Sequence, residues 1–251
     1  MKKVMLIGLI SIFIIGCAGN RPKDDDFPAQ FDYGKSLLEK EKYLKAQEVF
    51  QSLVLKASHT DLGDDVLFYL GESYFLNDEY LLAISEFDRL TRRMGFSPYV
   101  EKARWRICES FVYESPKYFH DQSYTENAID KLQEFMEDYP DSEFRHSAQK
   151  TIMDLREKLG KKVYETGILY IKLGAFDSAI LAFEEILSKY YDTSLVEKTQ
   201  VKIVESYCKL SDISSAKDYF DSIRNQLTTK NQKQLETLLS ETENELNRKS
   251  K

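Results

Sequence analysis

The groups of this chain that could carry covalent, metal or acid-base chemistry are three cysteines, three histidines and two short carboxylate runs. Cys108 and Cys208 stand in apolar, helix-periodic sequence, which predicts two buried thiols. Export would permit a disulfide between them, but a separation of a hundred residues gives that pairing little support. His59, His120 and His146 fall in loops or at helix starts with no second histidine at ligand spacing, and read as solvent-exposed. Asp24 to Asp26 suit a solvated linker, and Asp64 and Asp65 suit a helix start, where the dipole favours negative charge. There is no H-E-x-x-H, no G-x-S-x-G and no phosphate-binding glycine loop. The sequence therefore presents no catalytic residue, no metal site and no need of a cofactor.

Cys17 stands apart. Lys2 and Lys3 precede an apolar run from Val4 to Ile15, which ends at Gly16 and Cys17. A charged start, a short apolar stretch and a small residue at the cleavage point make an export signal. The run is too short for a transmembrane helix, which needs about 20 residues. The junction Ile14-Ile15-Gly16-Cys17 resembles the bacterial lipoprotein box, and that likeness implies cleavage before Cys17 and acylation of the new N-terminus. Three acyl chains, each buried at about 0.8 kcal/mol per methylene, exceed what stable anchoring needs. Ala18, where an aspartate would hold an enterobacterial lipoprotein in the inner membrane, favours the outer one. Residues 18–29 are polar, hold two prolines and lack periodicity. They form a flexible leash with a reach of roughly 40 Å.

Formal net charge is −7, and removal of Lys2 and Lys3 makes it −9. An acidic chain without a basic block is a poor partner for nucleic acid or an anionic membrane surface. Five prolines, ten glycines and a hydrophobic fraction of 42% fit packed helices better than a turn-rich β-sandwich.

An internal repeat organises the rest. In residues 163–190, Gly167, Tyr170, Gly174, Phe176, Ala179, Phe183 and Ile186 follow the tetratricopeptide spacing. Gly167 allows close approach of the paired helices with Ala179 as its small counterpart, and Gly174 suits a positive φ at a helix end. The frame recurs with pivotal alanines Ala46, Ala83, Ala128, Ala179 and Ala216, separated by 37, 45, 51 and 37 residues. A minimal unit has about 34 residues. The excess around the third repeat predicts an insertion over residues 114–123. It also predicts one long helix within 142–172, shared by repeats three and four. Cys108 takes the small-residue position held by Gly71 and Gly167. The expected fold is an all-α tetratricopeptide-repeat solenoid of about five helix pairs.

Stacked pairs form a superhelix lined by the first helix of each repeat. Two positions seven residues apart on that helix are expected to face the groove. They hold Phe31 and Leu38, Phe68 and Phe75, and Trp105 and Val112, with Tyr113, Lys35, Lys102 and Arg106 beside them. This aromatic strip suits a peptide with aromatic side chains, each large apolar residue contributing about 1.5 to 3 kcal/mol on burial. Repeats four and five place Tyr164, Ile171, Val201 and Cys208 there, which suggests a second partner surface. The lysine and asparagine clamp of chaperone-binding repeats is absent.

The expected organisation is a signal peptide over 1–16, an acylated N-terminus and linker over 17–29, five repeats over 30–227, and a charged helix or tail over 228–251. This combination, with Y-P-D-S-E-F at 139–144 followed by the long helix and a G-A-F-x-x-A unit, resembles the BamD family of outer-membrane assembly lipoproteins, including the ComL type. That resemblance implies a periplasm-facing lipoprotein of the β-barrel assembly machine. Its N-terminal repeats would meet unfolded outer-membrane proteins, and its C-terminal repeats would dock on the barrel-forming subunit beside accessory lipoproteins. Ser58 and Tyr191 depart from the family's helix-ending proline. The other reading of the same features is a lipid-anchored adaptor that recruits cell-wall hydrolases.

Overall fold

The computed structural model describes residues 22–56 and 60–249; Cys17, the export signal, Ser58 and His59 lie outside the described residues. Within them the regular structure is eleven α-helices and one 3-10 turn, with no strand. Five hairpins follow in order: α1 Phe27–Glu39 with α2 Tyr43–Lys56, α3 Gly63–Leu76 with α4 Tyr80–Arg93, α5 Val100–Glu114 with α6 Ser123–Asp138, α7 Arg145–Lys172 with α8 Phe176–Lys189, and α9 Val196–Lys209 with α10 Ile213–Ile223. A final helix, α11 Thr229–Lys249, covers the end. Its Leu235 and Leu239 are buried with Val204, Ala216 and Phe220 in one cluster.

Local chemistry starts and stops these helices. Asp26 caps α1 by accepting from the Ala29 amide at 3.1 Å, with a proline in the first turn. Four of the five hairpins turn through one left-handed residue at the same place, Glu41, Asp78, Gly174 or Ser211. Only repeat four uses glycine, which accepts that backbone without strain. In each, the next residue's amide closes on a carbonyl five residues back, as in Lys42 N to Leu37 O at 2.8 Å and Ala175 N to Tyr170 O at 2.9 Å. The third hairpin leaves this pattern. Ser115 is extended instead, and the insertion begins there.

The five pivotal alanines are fully buried. What stands nearest the glycine of the first helix in repeats one, two and four is the ring four residues beyond the alanine. A Cβ at Gly167 would stand 2.4 Å from Phe183, at Gly71 2.6 Å from Phe87, and at Gly34 2.7 Å from Phe50. Repeat three has a larger residue, Cys108, opposite a smaller one, since Leu132 takes the position of those rings. The Cys108 thiol donates to Lys131 O at 3.2 Å, and burial pushes its pKa up to about 12. Cys108 and Cys208 are both free and buried.

Helix α7 serves two neighbours along its length. Ala148, Ile152, Leu155 and Leu159 in its first half pack with α6, while Val163, Tyr164, Ile168 and Ile171 in its second half pack with α8. The insertion lies across the middle, where Lys158 Nζ donates to Ser115 Oγ and Pro116 O and Lys162 Nζ donates to His120 O at 2.9 Å. Gln122 ties the loop to itself through Lys117 O and His120 O.

Candidate functional site

The first helices of repeats one to three carry a ladder of rings with cations laid over them. Phe31 packs edge-on to Tyr69 at 5.3 Å, and Lys35 Nζ lies 5.2 Å from the Phe31 centroid. Phe68 stacks on Tyr99 at 4.4 Å and meets Phe87 at 5.7 Å, with Lys102 Nζ 5.1 Å above it. Phe75 lies under the Arg106 guanidinium at 4.4 Å. Each cation over a ring contributes about 0.5 to 1 kcal/mol where exposed.

Carboxylates fix the ladder. Arg106 Nε and Nη2 donate to the two oxygens of Glu72 at 2.6 and 3.0 Å, and Nη1 donates to Glu109 at 2.8 Å. Such a fork is stronger and more directional than a neutral hydrogen bond. Tyr99 O–H donates to Asp65 at 2.7 Å and Ser97 Oγ donates to Asp64 at 2.7 Å, so the paired aspartates at the start of α3 clamp the next repeat. Burial, then the Asp65 bond, raises the Tyr99 pKa.

At the junction of repeats two and three, Tyr80 and Tyr113 stack at 4.8 Å, and each meets Phe75 edge-on at 5.6 Å. Tyr80 O–H donates to Asp78 at 2.6 Å, and burial with that bond pushes the phenol up to about 12, leaving it a neutral donor. Beside it is a cavity of about 190 Å³ lined by Trp105, Glu109, Val112, Tyr113, Leu132 and Thr151.

The expected aromatic strip needs correction. Phe68 is 1% exposed, and Phe31, Phe75 and Trp105 are likewise buried. Trp105 stacks on Phe144 at 4.9 Å, at the start of α7. These four rings form the floor between repeats, because each first helix packs its aromatic position against the next repeat. Leu38 and Val112 are half-buried, and Tyr113 is 60% exposed. The surface available to a ligand is therefore Lys35, Lys102, Arg106, Val112 and Tyr113, with half-buried Tyr80. The basic residues placed beside the strip lie over it.

Tyr80 gives no site signal in the sequence because it starts the second helix of its repeat, whereas the groove is read from the first helices. Glu72 has no local spacing signal because its partner Arg106 lies 34 residues away in the next repeat, whereas Glu109 stands at i+3 from Arg106 on α5, a spacing that could have pointed to it. In the later repeats, Lys198 Nζ lies 4.8 Å over Tyr164, Ile171 is half-buried, and Val201 and Cys208 are buried. His120 and His146 are exposed. Among the described residues no helix is long and apolar enough to cross a membrane.

The arrangement presents one exposed ring, Tyr113, and cations held over buried rings. A family model described as YfiO, outer membrane lipoprotein, matches residues 23–222. The chain is 29% identical to "Outer membrane protein assembly factor BamD" of Helicobacter pylori over 57% of its length and 68% of that protein. It is 24% identical to the protein of the same name from Rickettsia prowazekii over 87% of both. Among solved structures, the TPR2AB domain of yeast Sti1 in its pHSP90 complex superposes over 85% of this chain and 98% of that one at 12% identity, with a TM-score of 0.43, too low to add to the assignment.

Proposed function

Because the chain belongs to the YfiO family of outer membrane lipoproteins, we propose that it is a non-catalytic subunit of the outer-membrane β-barrel assembly (BAM) complex. The relatives' shared name, outer membrane protein assembly factor, supports that role. In this reading the inner face of repeats one to three receives unfolded outer-membrane proteins, and repeats four and five dock on the barrel-forming subunit and its accessory lipoproteins. Cys17 carries the acyl anchor and the folded part faces the periplasm on a short leash.

The observation that carries the substrate role is the pairing of Tyr113 with cations over buried rings. A segment rich in aromatic and acidic side chains meets both there, and the buried floor holds the cations in place. The carboxylates Glu72 and Glu109 spend much of Arg106's charge, so Lys35, Lys102 and the exposed Tyr113 face lead in recognition.

Purification of the full-length lipoprotein from solubilised membranes tests the assignment. A large β-barrel protein with periplasmic repeats is expected at comparable amount. Recovery of cell-wall hydrolases in its place would establish the adaptor reading and overturn this one. For the anchor, Cys17→Ala is expected to release the protein from the membrane fraction; retention with unchanged partners would contradict lipidation at that residue.

A further inference from the structure

Repeat four exposes leucines where the other repeats are polar. Two residues beyond the small residue of the first helix stand Ser36, Ser73, Ser110 and Ser206, but Leu169 in repeat four. Three of those serines are buried, each bonded to its own helix, whereas Leu169 is 53% exposed. Two residues beyond the pivotal alanine stand Glu48, Ser85, Asp130 and Asp218, but Leu181, 68% exposed. Leu173, at the end of α7, is 69% exposed.

The packing explains where a leucine is tolerated and what is missing. In repeat two the stripe Leu67, Leu70 and Tyr74 is buried beneath the second helix of repeat one. In repeat five Gln200 and Ile203 are buried beside α8. The matching residues of repeat four are Val163 and Tyr170, half-buried, and Thr166, exposed. Helix α6 cannot cover them. It packs on the first half of α7 and begins at Ser123, level with Lys162, where the insertion ends the contact. Below that point a groove of about 420 Å³ runs between α7 and α8. It continues the α6–α7 interface along the same helix. At one end Lys162 on α7 and Glu185 on α8 line opposite walls; Leu181 lines the groove further along, and Leu169 and Leu173 are exposed on the same half of α7.

We propose that this groove is the docking site for an amphipathic α-helix of a partner protein, seated where a preceding repeat's second helix sits elsewhere in the solenoid. Its apolar face is leucine-rich, and one end carries an acidic side chain toward Lys162 and a basic one toward Glu185. A concave slot between two helices fits a helix better than a flat lipid surface does. The inference rests on the proposed docking role of the C-terminal repeats only for which protein supplies the helix.

The test places a benzoylphenylalanine photo-crosslinker in the full-length lipoprotein at Thr166 or Ser178, both in the groove, and at Ser85 as the equivalent surface of repeat two. Crosslinks from the groove are expected to one partner segment, at residues spaced three, four and seven apart, with none from Ser85. Leu169→Ser combined with Leu181→Asp restores the residue types of the other repeats. It is expected to lower the Thr166 crosslink at least tenfold with an unchanged Tm. Crosslinks to a second copy, to lipid alone or at every second residue of an extended segment would overturn the proposal, as would no crosslink, a retained crosslink or a lowered Tm in the double variant. Loss of the helix crosslink with the barrel protein still co-purifying would refute the slot and leave the assembly role standing.

Discussion

Repeats one to three hold cations and one exposed tyrosine over a floor of buried rings, whereas repeat four exposes leucines. Both regions share the same fully buried alanine and, outside repeat three, the same ring pressed against a glycine. What differs lies at the positions the shared packing leaves free. The frame keeps the helices at fixed spacing, so a change at an outward position alters what the surface binds without altering how the repeat stacks. A second device acts through the doubled helix: α6 packs on the first half of α7, and a groove is left between the second half of α7 and α8.

The largest expected effects test the shared half of that comparison. Phe87→Ala and Phe183→Ala each remove a fully buried ring from the small-residue contact, and each is expected to cost about 3 to 5 kcal/mol in urea unfolding. A large difference between the two would break the claim that one frame builds both regions.

The division between floor and surface comes next. Phe68→Ala is expected to cost about 3 kcal/mol because its ring joins Tyr99 and Phe87. Tyr113→Ala, at an exposed edge, is expected to cost under about 1 kcal/mol in the same measurement. Similar costs would mean that Tyr113 belongs to the core after all.

Acid should separate the two ends with a smaller signal. Asp192 is held below the usual carboxylate range by its hydrogen bonds from Arg156, Glu197 by the Thr228 amide, and Asp212 by Ser215. All three lie between the end of α8 and the start of α10. A carboxylate with a depressed folded pKa stabilises fully above its unfolded value of about 4, and that contribution fades as pH falls through the folded value. Hydrogen exchange followed from pH 6 to pH 3 is therefore expected to show α9 to α11 losing protection before α1 to α4. The reverse order would assign acid sensitivity to the N-terminal clamps.

Much of this architecture was legible in the residues. Five alanines in one frame located the hairpins, the surplus between Ala83 and Ala179 located the insertion and the long helix, and Gly174 marked the left-handed turn found there. The spacing also placed Lys35, Lys102 and Arg106 near the aromatic positions. It could not tell that those rings are floor and the cations are surface, because periodicity gives the face of a helix but not the depth at which the next repeat covers it. The Arg106 fork to Glu72 joins different repeats, so local spacing carried no sign of it. Leu169 and Leu181 were visible as letters but acquired meaning only when aligned with the serines and acids of the other repeats.

The central claim is that the inner wall of repeats one to three, and not the flank of repeat four, receives the substrate. Fluorescence anisotropy with a labelled peptide from the aromatic C-terminal strand of an outer-membrane β-barrel protein tests it on the full-length lipoprotein. Lys102→Ala with Tyr113→Ala is expected to weaken binding at least tenfold, while Leu169→Ser with Leu181→Asp leaves it unchanged. Undiminished binding by the first variant, or loss by the second, would contradict the account.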